Sequence, residues 1–316
     1  MSKFLVTGGA GFIGSNIVDE LVRSGHDVKV IDNFVTGKRE NLEDVIDKIE
    51  LIEGDIRDLD AVRKAAKGMD YVLHQAAFRS VPKSVDNPIF TNDVNIAGTL
   101  NVLIASKEAN VKRLVYASSS SCYGDTDEFP EKEESLPMPI SPYAVSKLTG
   151  EYYCKTFSVT YNLQTASLRY FNVFGPRQNP ESKYSTVVPA FIFSMLKDAP
   201  PTVDGDGKQS RDFTFVKNVV AANIKAALLK GRLNGEVFNV ACGKSHSVLD
   251  IIDNLNKLMK KNIKPKFGPP RAGDVRKTQA DITKLKKILK IVPKADFEEG
   301  LRETLKWFMD NKVEIS

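Results

Sequence analysis

Short apolar runs alternate with amphipathic stretches through the first half of the chain. Residues 3–7 (KFLVT) and 27–32 (DVKVID) are rich in apolar side chains and lie next to polar residues or glycine, which is typical of buried strands. Between them, residues 11–25 (GFIGSNIVDELVRSG) place apolar side chains at the spacing of one helix face and end at a glycine. Further strands are predicted at 49–55, 70–74, 113–119 and 164–170. This alternation predicts βαβ units, and therefore an α/β fold with a doubly wound parallel sheet.

The pattern changes after about residue 175. Residues 172–180 (NVFGPRQNP) are rich in turn-forming residues, and beyond them helices mix with short strands and proline-bearing loops. We predict a larger domain over residues 1–175 and a smaller C-terminal α/β domain over residues 176–316. Residues 211–242 contain a helix and a strand of the main-sheet type, so the chain is expected to return there to the larger domain.

Composition narrows the class of protein only a little. The chain has 316 residues, of which 42% are hydrophobic and 27% charged, as in ordinary globular proteins. No apolar run approaches the ~18 residues that span a bilayer, so no membrane partner is expected. Three scattered cysteines favour a reducing cytoplasm over a disulfide framework. The three histidines have no metal-ligand spacing, so no metal is expected.

One segment concentrates most of the positive charge. Residues 256–294 hold 13 Lys and Arg against two Asp, within a chain whose net charge is +5. Such a segment fits either nucleic acid or a solvated lysine-rich helix face. The aromatic residues that would stack on bases are missing, so the second interpretation is favoured and no nucleic-acid partner is expected.

A glycine-rich turn joins the first strand to the first helix. Residues 6–14 (VTGGAGFIG) fit G-x-G-x-x-G, and Gly8, Gly11 and Gly14 fit the G-x-x-G-x-x-G variant. Glycines allow a pyrophosphate to approach the helix N-terminus, where free N–H groups favour anions; the alternative is a tight turn with a capped helix. Asp32 ends the second strand, where a carboxylate accepts from ribose hydroxyls and repels a 2′-phosphate. The sequence therefore predicts a Rossmann arrangement that binds NAD rather than NADP.

Polar residues follow the later strands, at the edge of a parallel sheet where ligands bind. Asp55 and Ile56 end the third strand, where the aspartate fits either an adenine contact or a loop cap. Small side chains follow the fourth strand and would let a cofactor lie close to the backbone. Donors to an anionic substrate are offered by Arg79, Ser80, Lys83 and Ser84. Four serines, residues 118–121, follow the fifth strand, and their hydroxyls are expected to face a cleft. No catalytic histidine accompanies them, so a serine nucleophile is not expected.

Tyr143 and Lys147 stand four residues apart, just after Pro142 at a predicted helix start. This spacing puts both side chains on one helix face, and a lysine there can lower the pKa of the phenol. Taken alone, the pair is either a proton-transfer device or an ordinary surface contact.

Together these motifs identify a resemblance to the extended short-chain dehydrogenases/reductases over essentially the whole chain. TGGAGFIG, GDIRD, HQAA, the serine run and SPYAVSK occur in the order of that superfamily. Within it, RYFNVFGPRQNP, GDGKQSRDFTFVKNVV and RAGDVRKTQADITK resemble the nucleotide-sugar 4-epimerases, most closely the branch that handles UDP-N-acetylglucosamine and its galacto epimer.

The resemblance implies a role for individual residues. Tyr143 would be the general base, Lys147 its partner and Ser119 the third catalytic residue. The implied cofactor-binding residues are Gly8, Gly11, Phe12, Ile13, Gly14, Asp32, Asn33, Asp55, Ile56, Gln75, Ala76, Ala77, Asn95, Ser118, Tyr143, Lys147 and Tyr170. The implied substrate-binding residues are Arg79, Ser80, Ser119, Ser121, Tyr143, Asn172, Val188, Arg211, Arg271, Asp274 and Thr278.

The implied reaction inverts carbon 4 of a UDP-sugar. Tyr143 would take the 4-hydroxyl proton while the carbon 4 hydride passes to NAD, and the hydride would return to the opposite face of the 4-keto sugar. Thr278 stands where epimerases restricted to plain hexoses carry a tyrosine, which suggests that UDP-N-acetylhexosamines are accepted as well as UDP-glucose and UDP-galactose. The resemblance also implies a homodimer through the helix that begins near Tyr143 and a helix over residues 92–109.

Other functions remain open. They are a UDP-glucuronate 4-epimerase, a dehydratase, a decarboxylase or a non-catalytic dinucleotide-binding module. Positions 119–121 are all serine, so the acidic pair typical of the dehydratases and the glutamate typical of the decarboxylases are both missing. The complete Tyr143, Lys147 and Ser119 set disfavours the non-catalytic module.

Overall fold

Seven buried strands form one parallel sheet at the centre of the protein, which is described here from a computed structural model. The structure describes residues 1–179, 187–270, 275–294 and 296–311. Its strands are β1 (Lys3–Thr7), β2 (Asp27–Asp32), β3 (Ile49–Glu53), β4 (Tyr71–His74), β5 (Arg113–Ser119), β6 (Thr165–Tyr170), β7 (Val173–Phe174), β8 (Thr202–Asp204), β9 (Ser210–Arg211), β10 (Thr214–Phe215), β11 (Asn234–Val240), β12 (His246–Ser247) and β13 (Lys266–Gly268). The central sheet has the order β3-β2-β1-β4-β5-β6-β11, and each neighbouring pair is parallel.

Helices cover both faces of this sheet. The α-helices are α1 (Phe12–Arg23), α2 (Leu59–Ala66), α3 (Val81–Asp86), α4 (Pro88–Asn92), α5 (Gly98–Glu108), α6 (Pro142–Thr160), α7 (Val187–Leu196), α8 (Val216–Leu228), α9 (Val248–Met259) and α10 (Phe297–Asp310). Tighter or wider helical turns occur at Arg39–Lys48, Asp93–Ala97, Ser120–Tyr123 and Leu285–Leu289. This architecture confirms the predicted doubly wound α/β fold.

The period of two along a strand divides the core into two layers. Phe4 and Val6 are fully buried in the larger apolar cluster, whereas Leu5 is fully buried in the other. Successive side chains of a strand point to opposite faces, so both faces of β1 are covered, as a parallel sheet requires. β-branched and other apolar runs therefore form strands here because both of their faces are buried.

The order of the strands reverses between β1 and β4, whose carboxyl ends lie side by side. Ligands bind at such a reversal because the two connecting segments leave the sheet in opposite directions. The motifs that carry chemistry in the sequence follow β1, β2, β4 and β5, so the fold brings them to one edge.

The described part of the C-terminal half combines helices α7 to α10 with short two-stranded pairs that lie outside the central sheet. β7 pairs with β10, β9 with β12 and β8 with β13. β11 lies beside β6 in the central sheet, so the chain does cross back after β10. No helix among the described residues is both long enough and apolar enough to cross a membrane.

Candidate active site

The glycine turn after β1 has no room for side chains. Gly8 has φ +68°, and a Cβ there would lie 2.7 Å from the backbone of Ala76. A Cβ on Gly14 would lie 2.1 Å from the carbonyl oxygen of Gly8, because helix α1 starts directly against the turn. Gly11 precedes α1 and no side chain caps the helix. The N–H groups of its first turn, which include those of Phe12 and Ile13, are thus placed to hold an anion.

Asp32 holds the glycine turn as well as facing the cofactor edge. Its buried carboxylate accepts hydrogen bonds from the backbone N–H groups of Ala10 (2.9 Å) and Phe34 (2.8 Å). Burial raises the pKa of Asp32, although these two hydrogen bonds oppose that rise. A carboxylate has about four acceptor positions, so capacity remains for ribose hydroxyls.

The ends of β2 and β3 are joined by a second carboxylate. Asn33 donates to Asp55 (2.8 Å), and Arg57 donates to the same carboxylate through its guanidinium. The hydrogen bond from Arg57 is the largest influence on Asp55 and lowers its pKa to about 2. Ile56 is buried against Gly98, where a Cβ would lie 2.7 Å from its side chain. The structure thus brings Asn33 and Asp55 together and fits the loop-cap interpretation of Asp55.

A hydrogen-bonded network of Gln75, Tyr170 and Asn223 connects the ends of β4 and β6 to helix α8. The Tyr170 hydroxyl lies 3.1 Å from both Gln75 Oε1 and Asn223 Oδ1, either of which can accept its single proton, and it accepts from Asn223 Nδ2 (2.8 Å). Gln75 Nε2 donates to Asn223 Oδ1 (3.0 Å). Two of these residues were predicted to bind the cofactor. Asn223 was missed; it is fully buried on α8, whose other buried residues are apolar apart from Asn218.

Lys147 is buried beside the end of β5. Its Nζ donates to the carbonyl oxygen of Ala117 (2.8 Å) and lies 5.1 and 5.8 Å from the ring centroids of Tyr116 and Tyr143. Burial lowers the pKa of Lys147 to about 8. Ala117 is the only acceptor bonded to this ammonium within the described part of the chain, so two of its three donors remain for ribose or substrate hydroxyls.

Tyr143 sits one turn earlier on α6. Burial raises the pKa of its phenol to about 12; the Ser119 hydroxyl, which hydrogen-bonds to it, and the charge of Arg79 act in the opposite direction. The pKa of Tyr143 is therefore raised on balance, and the lowering by Lys147 that the spacing suggested stays a prediction. Both side chains are taken out of water, which disfavours the phenolate and the ammonium alike.

Two neighbouring serines of the serine run direct their hydroxyls to different partners: Ser119 to the Tyr143 phenol and Ser118 to Glu151. Ser121 Oγ donates to Ser119 Oγ (2.8 Å), which places Ser119 between Ser121 and Tyr143. Ser118 instead donates to the buried carboxylate of Glu151 and is almost fully buried. A cofactor contact of Ser118, as predicted, is therefore left to its backbone, because neighbouring strand residues point to opposite faces.

Two side chains from outside α6, those of Ser84 and Asn95, hold its first turns. Ser84 Oγ accepts from the Tyr143 backbone N–H (3.1 Å), one of the donors that a helix start leaves unpaired. Asn95 accepts from the Phe78 N–H (2.7 Å) and donates to Ser146 Oγ (3.0 Å). The amide of Asn95 is thus used within the protein, which makes its predicted support of the cofactor side an indirect one.

The predicted substrate residues Asn172 and Thr278 meet, although 106 positions separate them. Asn172 Nδ2 donates to Thr278 Oγ1 (3.2 Å), and the backbone N–H of Asp212 donates to the same oxygen (3.3 Å). Asp212 is fully buried and accepts from the backbone N–H groups of Cys242 (2.9 Å) and Gly243 (2.8 Å). Burial raises the pKa of Asp212 to about 6. Asp212 was missed by sequence reasoning, although it directly follows Arg211.

The other predicted substrate residues differ in what the structure says of them. Arg211 lies in β9 and is half-buried. Arg271 and Asp274 lie outside the described residues. Val188 has its side chain in the core of α7, so a contact with substrate is left to its backbone. Helix α7 is apolar on every side (VVPAFIFSML), so the sequence could not tell its inner face from its outer one.

Arg79 and Ser80 lie on the connection between β4 and α3. Arg79 is exposed, and its charge acts on the Tyr143 phenol. Ser80 caps α3 at φ +125° and is taken up by that turn. Within the described ranges, no group of three His, Cys, Asp or Glu side chains could hold a metal ion.

These groups fit a dinucleotide. A turn without side chains ends in an uncapped helix start, carboxylates follow β2 and β3, and a buried ammonium has donors to spare. The phosphates would take the start of α1, the ribose nearest to it would take Asp32, and Lys147 would hold the second ribose.

The fold and this edge together define an extended short-chain dehydrogenase/reductase. The chain belongs to the NAD dependent epimerase/dehydratase family, which matches residues 4–241, and NAD is its cofactor.

Three relatives illustrate the similarity. A structure of the UDP-N-acetylglucosamine 4-epimerase from Methanobrevibacter ruminantium M1 in complex with UDP-N-acetylmuramic acid is 42% identical, with a TM-score of 0.94 over 98% of this chain and 99% of that one. The structure of the UDP-glucose 4-epimerase from Thermotoga maritima with UDP-glucose is 38% identical, with a TM-score of 0.93 over 98% and 99%. The putative UDP-glucose 4-epimerase of Methanocaldococcus jannaschii is 38% identical over 97% of this chain and 98% of its own.

Proposed function

We propose that the chain is a UDP-sugar 4-epimerase that interconverts gluco and galacto configurations and accepts UDP-N-acetylhexosamines as well as UDP-glucose and UDP-galactose. The observation that carries the proposal is the meeting of Tyr143, Lys147 and Ser119 at the carboxyl edge of the sheet that also carries the glycine turn. Relatives of 42% and 38% identity that are 4-epimerases support the same reaction.

The catalytic residues divide the work on carbon 4. NAD, when bound, supplies the acceptor and donor of the carbon 4 hydride. Tyr143 takes the proton of the 4-hydroxyl and returns it, while the Ser119 hydroxyl orients the phenol and favours its ionised form. Lys147 holds hydroxyl groups near that phenol through the donors that Ala117 leaves free. Burial raises the pKa of Tyr143 to about 12, so loss of its proton depends on groups that stabilise the phenolate, such as the Ser119 hydroxyl and the charge of Arg79.

The serine run disfavours the dehydratase and decarboxylase alternatives. Elimination of water needs an acid and a base near carbons 5 and 6, and positions 119–121 provide hydroxyls only. Proton transfer to and from a single hydroxyl requires only the Tyr143 phenol. A redox-neutral inversion therefore suits these side chains better than an elimination does.

The acceptance of acetylated sugars is proposed from Thr278. Its hydroxyl is held by Asn172 and by the Asp212 backbone, so its short side chain lies against the protein. The space that a tyrosine would fill at this position is then open to a substituent on carbon 2 of the sugar.

A homodimer belongs to the same proposal. Val145, Tyr152 and Val159 lie seven residues apart on α6 and are 46%, 60% and 71% exposed, which forms an apolar stripe along one face of the helix. Ile89 on the neighbouring α4 is 75% exposed. Light scattering of the purified protein is expected to give twice the mass of the chain, and a monomer would contradict this part of the proposal.

The decisive experiment uses three substrates in parallel. The purified protein is incubated separately with UDP-N-acetylglucosamine, UDP-glucose and UDP-glucuronate without added NAD, and the products are separated by chromatography. Galacto epimers of the first two are expected. Conversion of UDP-glucuronate alone would replace the proposal with a uronate epimerase, and loss of carbon dioxide from UDP-glucuronate would replace it with a decarboxylase.

A further inference from the structure

A buried ion pair lies one helical turn beyond the catalytic lysine. Glu151 on α6 and Arg169 on β6 each have only 3% of their side-chain surface exposed. Arg169 donates to both carboxylate oxygens of Glu151, at 2.9 Å through Nε and 2.8 Å through Nη2. The Ser118 hydroxyl donates to the same carboxylate. None of these contacts belongs to the roles already proposed for Tyr143 and Lys147.

Hydrogen bonds from two successive turns of helix α6 hold it against strand β5. Lys147 reaches the carbonyl oxygen of Ala117, and Glu151, four residues later, reaches the hydroxyl of Ser118. The next residue of β5 is Ser119, which hydrogen-bonds to Tyr143. The separation between the serine hydroxyl and the phenol therefore depends on how α6 sits on β5.

The pair also connects to the segment that carries Thr278. The guanidinium of Arg169 lies 4.5 Å from the ring centroid of Tyr123, whose hydroxyl donates to Asn239 (2.6 Å). Asn239 donates to the carbonyl oxygens of Glu131 (2.9 Å) and Asp281 (3.1 Å). Glu131 in turn exchanges backbone and side-chain hydrogen bonds with Gln279, the neighbour of Thr278.

Stability alone is a poor reason for this arrangement. Removing two charges from water costs more than their attraction commonly returns, and apolar residues of similar size often stabilise such a position equally well or better. Arg169 Nη1 is in addition buried without a hydrogen-bond partner in the described chain. A costly buried pair next to the catalytic hydroxyl is better explained by the geometry that it imposes.

We infer that Glu151, held by Arg169, is a positioning residue that fixes the Ser119 hydroxyl against the Tyr143 phenol and ties the catalytic strand to the Thr278 segment. The inference rests on the proposed function for its catalytic readout. It assigns to Glu151 no contact with substrate or cofactor.

The test compares Glu151→Gln, the double variant Glu151→Met with Arg169→Met, and Glu108→Gln, which weakens the exposed Arg63–Glu108 pair as a matched control. Turnover of the preferred UDP-sugar is measured with kcat and KM kept separate, beside Tm. With tyrosine labelled with carbon-13 at Cζ, the Tyr143 resonance is followed at pH 8 and assigned through Tyr143→Phe.

A displaced catalytic group lowers kcat by on the order of 100-fold without a matching change in KM. Glu151→Gln is expected to lower kcat by at least about tenfold, and the double variant is expected to stay catalytically impaired even where its Tm matches wild type. Both should shift the Tyr143 resonance, while Glu108→Gln should change neither quantity.

A double variant with wild-type Tm, kcat within about twofold of wild type and an unshifted Tyr143 resonance would overturn the inference, since the pair would then be core packing only. If the double variant does not fold, Glu151→Gln decides by the same two readouts. If wild type epimerises no UDP-sugar, the proposed function fails, and the Tyr143 resonance alone decides whether Glu151 positions the phenol: a shift supports it and no shift overturns it.

Discussion

The cofactor side and the substrate side of the site are built in different ways. The cofactor side consists of turns at strand ends, where Gly8 and Gly14 lie within one strand-turn-helix unit and backbone groups face the ligand. The proposed substrate side consists of side chains brought together from distant segments, such as Asn172 and Thr278. Local backbone requirements therefore define the first, whereas packing of the whole chain defines the second.

Tyr143, at the junction of the two sides, should give the largest effect. Tyr143→Phe removes the proton acceptor and is expected to lower kcat by about a thousandfold, as is common for loss of a general base, while bound NAD stays unchanged. Chromatographic assay of the epimer and the ultraviolet spectrum of the protein check the two halves of this expectation. Tyr161→Phe, at an exposed tyrosine that ends the same helix, serves as control. Substantial activity in Tyr143→Phe would refute the assignment.

On the cofactor side, a change that displaces the backbone of the glycine turn is expected to weaken NAD binding. Gly14→Ala would place a Cβ 2.1 Å from the Gly8 carbonyl oxygen, which is far inside van der Waals contact. The turn must then move. The affinity for NAD is expected to fall by roughly a hundredfold, which is about 2.7 kcal/mol, and less NAD should be retained through purification. Gly268→Ala is the matched control, because its Cβ would meet its neighbours at 3.8 Å or more. Full NAD content in Gly14→Ala would show that the turn tolerates what the structure forbids.

The substrate side should change selectivity while leaving the cofactor bound. Thr278→Tyr is expected to lower kcat/KM for UDP-N-acetylglucosamine by roughly 10- to 100-fold and to spare UDP-glucose, because only the carbon 2 substituent loses its space. Thr278→Ser keeps the hydroxyl that Asn172 and Asp212 bind and is expected to keep the wild-type ratio. An equal loss with both sugars would mean that Thr278 supports the fold instead of selecting the sugar.

Glu131 is expected to have the smallest effect on turnover and to act on stability instead. It hydrogen-bonds to Gln279, the neighbour of Thr278. Burial raises its pKa to about 7 from the ordinary value of 4.5. The folded protein then holds a proton that the unfolded chain releases, so its contribution to stability is complete below about pH 4.5 and is lost as the pH rises to about 7. The loss is about 3 kcal/mol.

Glu131→Gln should flatten this part of the pH dependence in chemical denaturation curves. Glu43→Gln, at an exposed position, should leave the curve unchanged. The same pH dependence between pH 4.5 and 7 in wild type and Glu131→Gln would contradict the assignment.

How much the sequence could predict follows the same division. The apolar runs predicted the strands of the sheet, because a strand buried on both faces requires them, and the glycine spacing predicted the turn. Asn223 and Glu151 were not predicted, and Ser84 was predicted as a donor to substrate, whereas it accepts from the Tyr143 N–H. A polar residue inside a helix gives no sign of which distant partner it meets. The hydroxyl of Ser118 was expected to face a cleft, but it donates to Glu151. The spacing identifies the end of the strand, but it does not identify the face on which each serine lies.

The measurement that tests the central claim most directly uses UDP-N-acetylglucosamine carrying deuterium at carbon 4. The account predicts that the galacto epimer forms without added NAD and keeps its deuterium. The hydrogen of carbon 4 leaves and returns as a hydride within one site, whereas Tyr143 transfers only the proton of the 4-hydroxyl. Replacement of the deuterium by hydrogen from solvent in the epimer would contradict the account, because carbon 4 would then have been inverted by proton exchange.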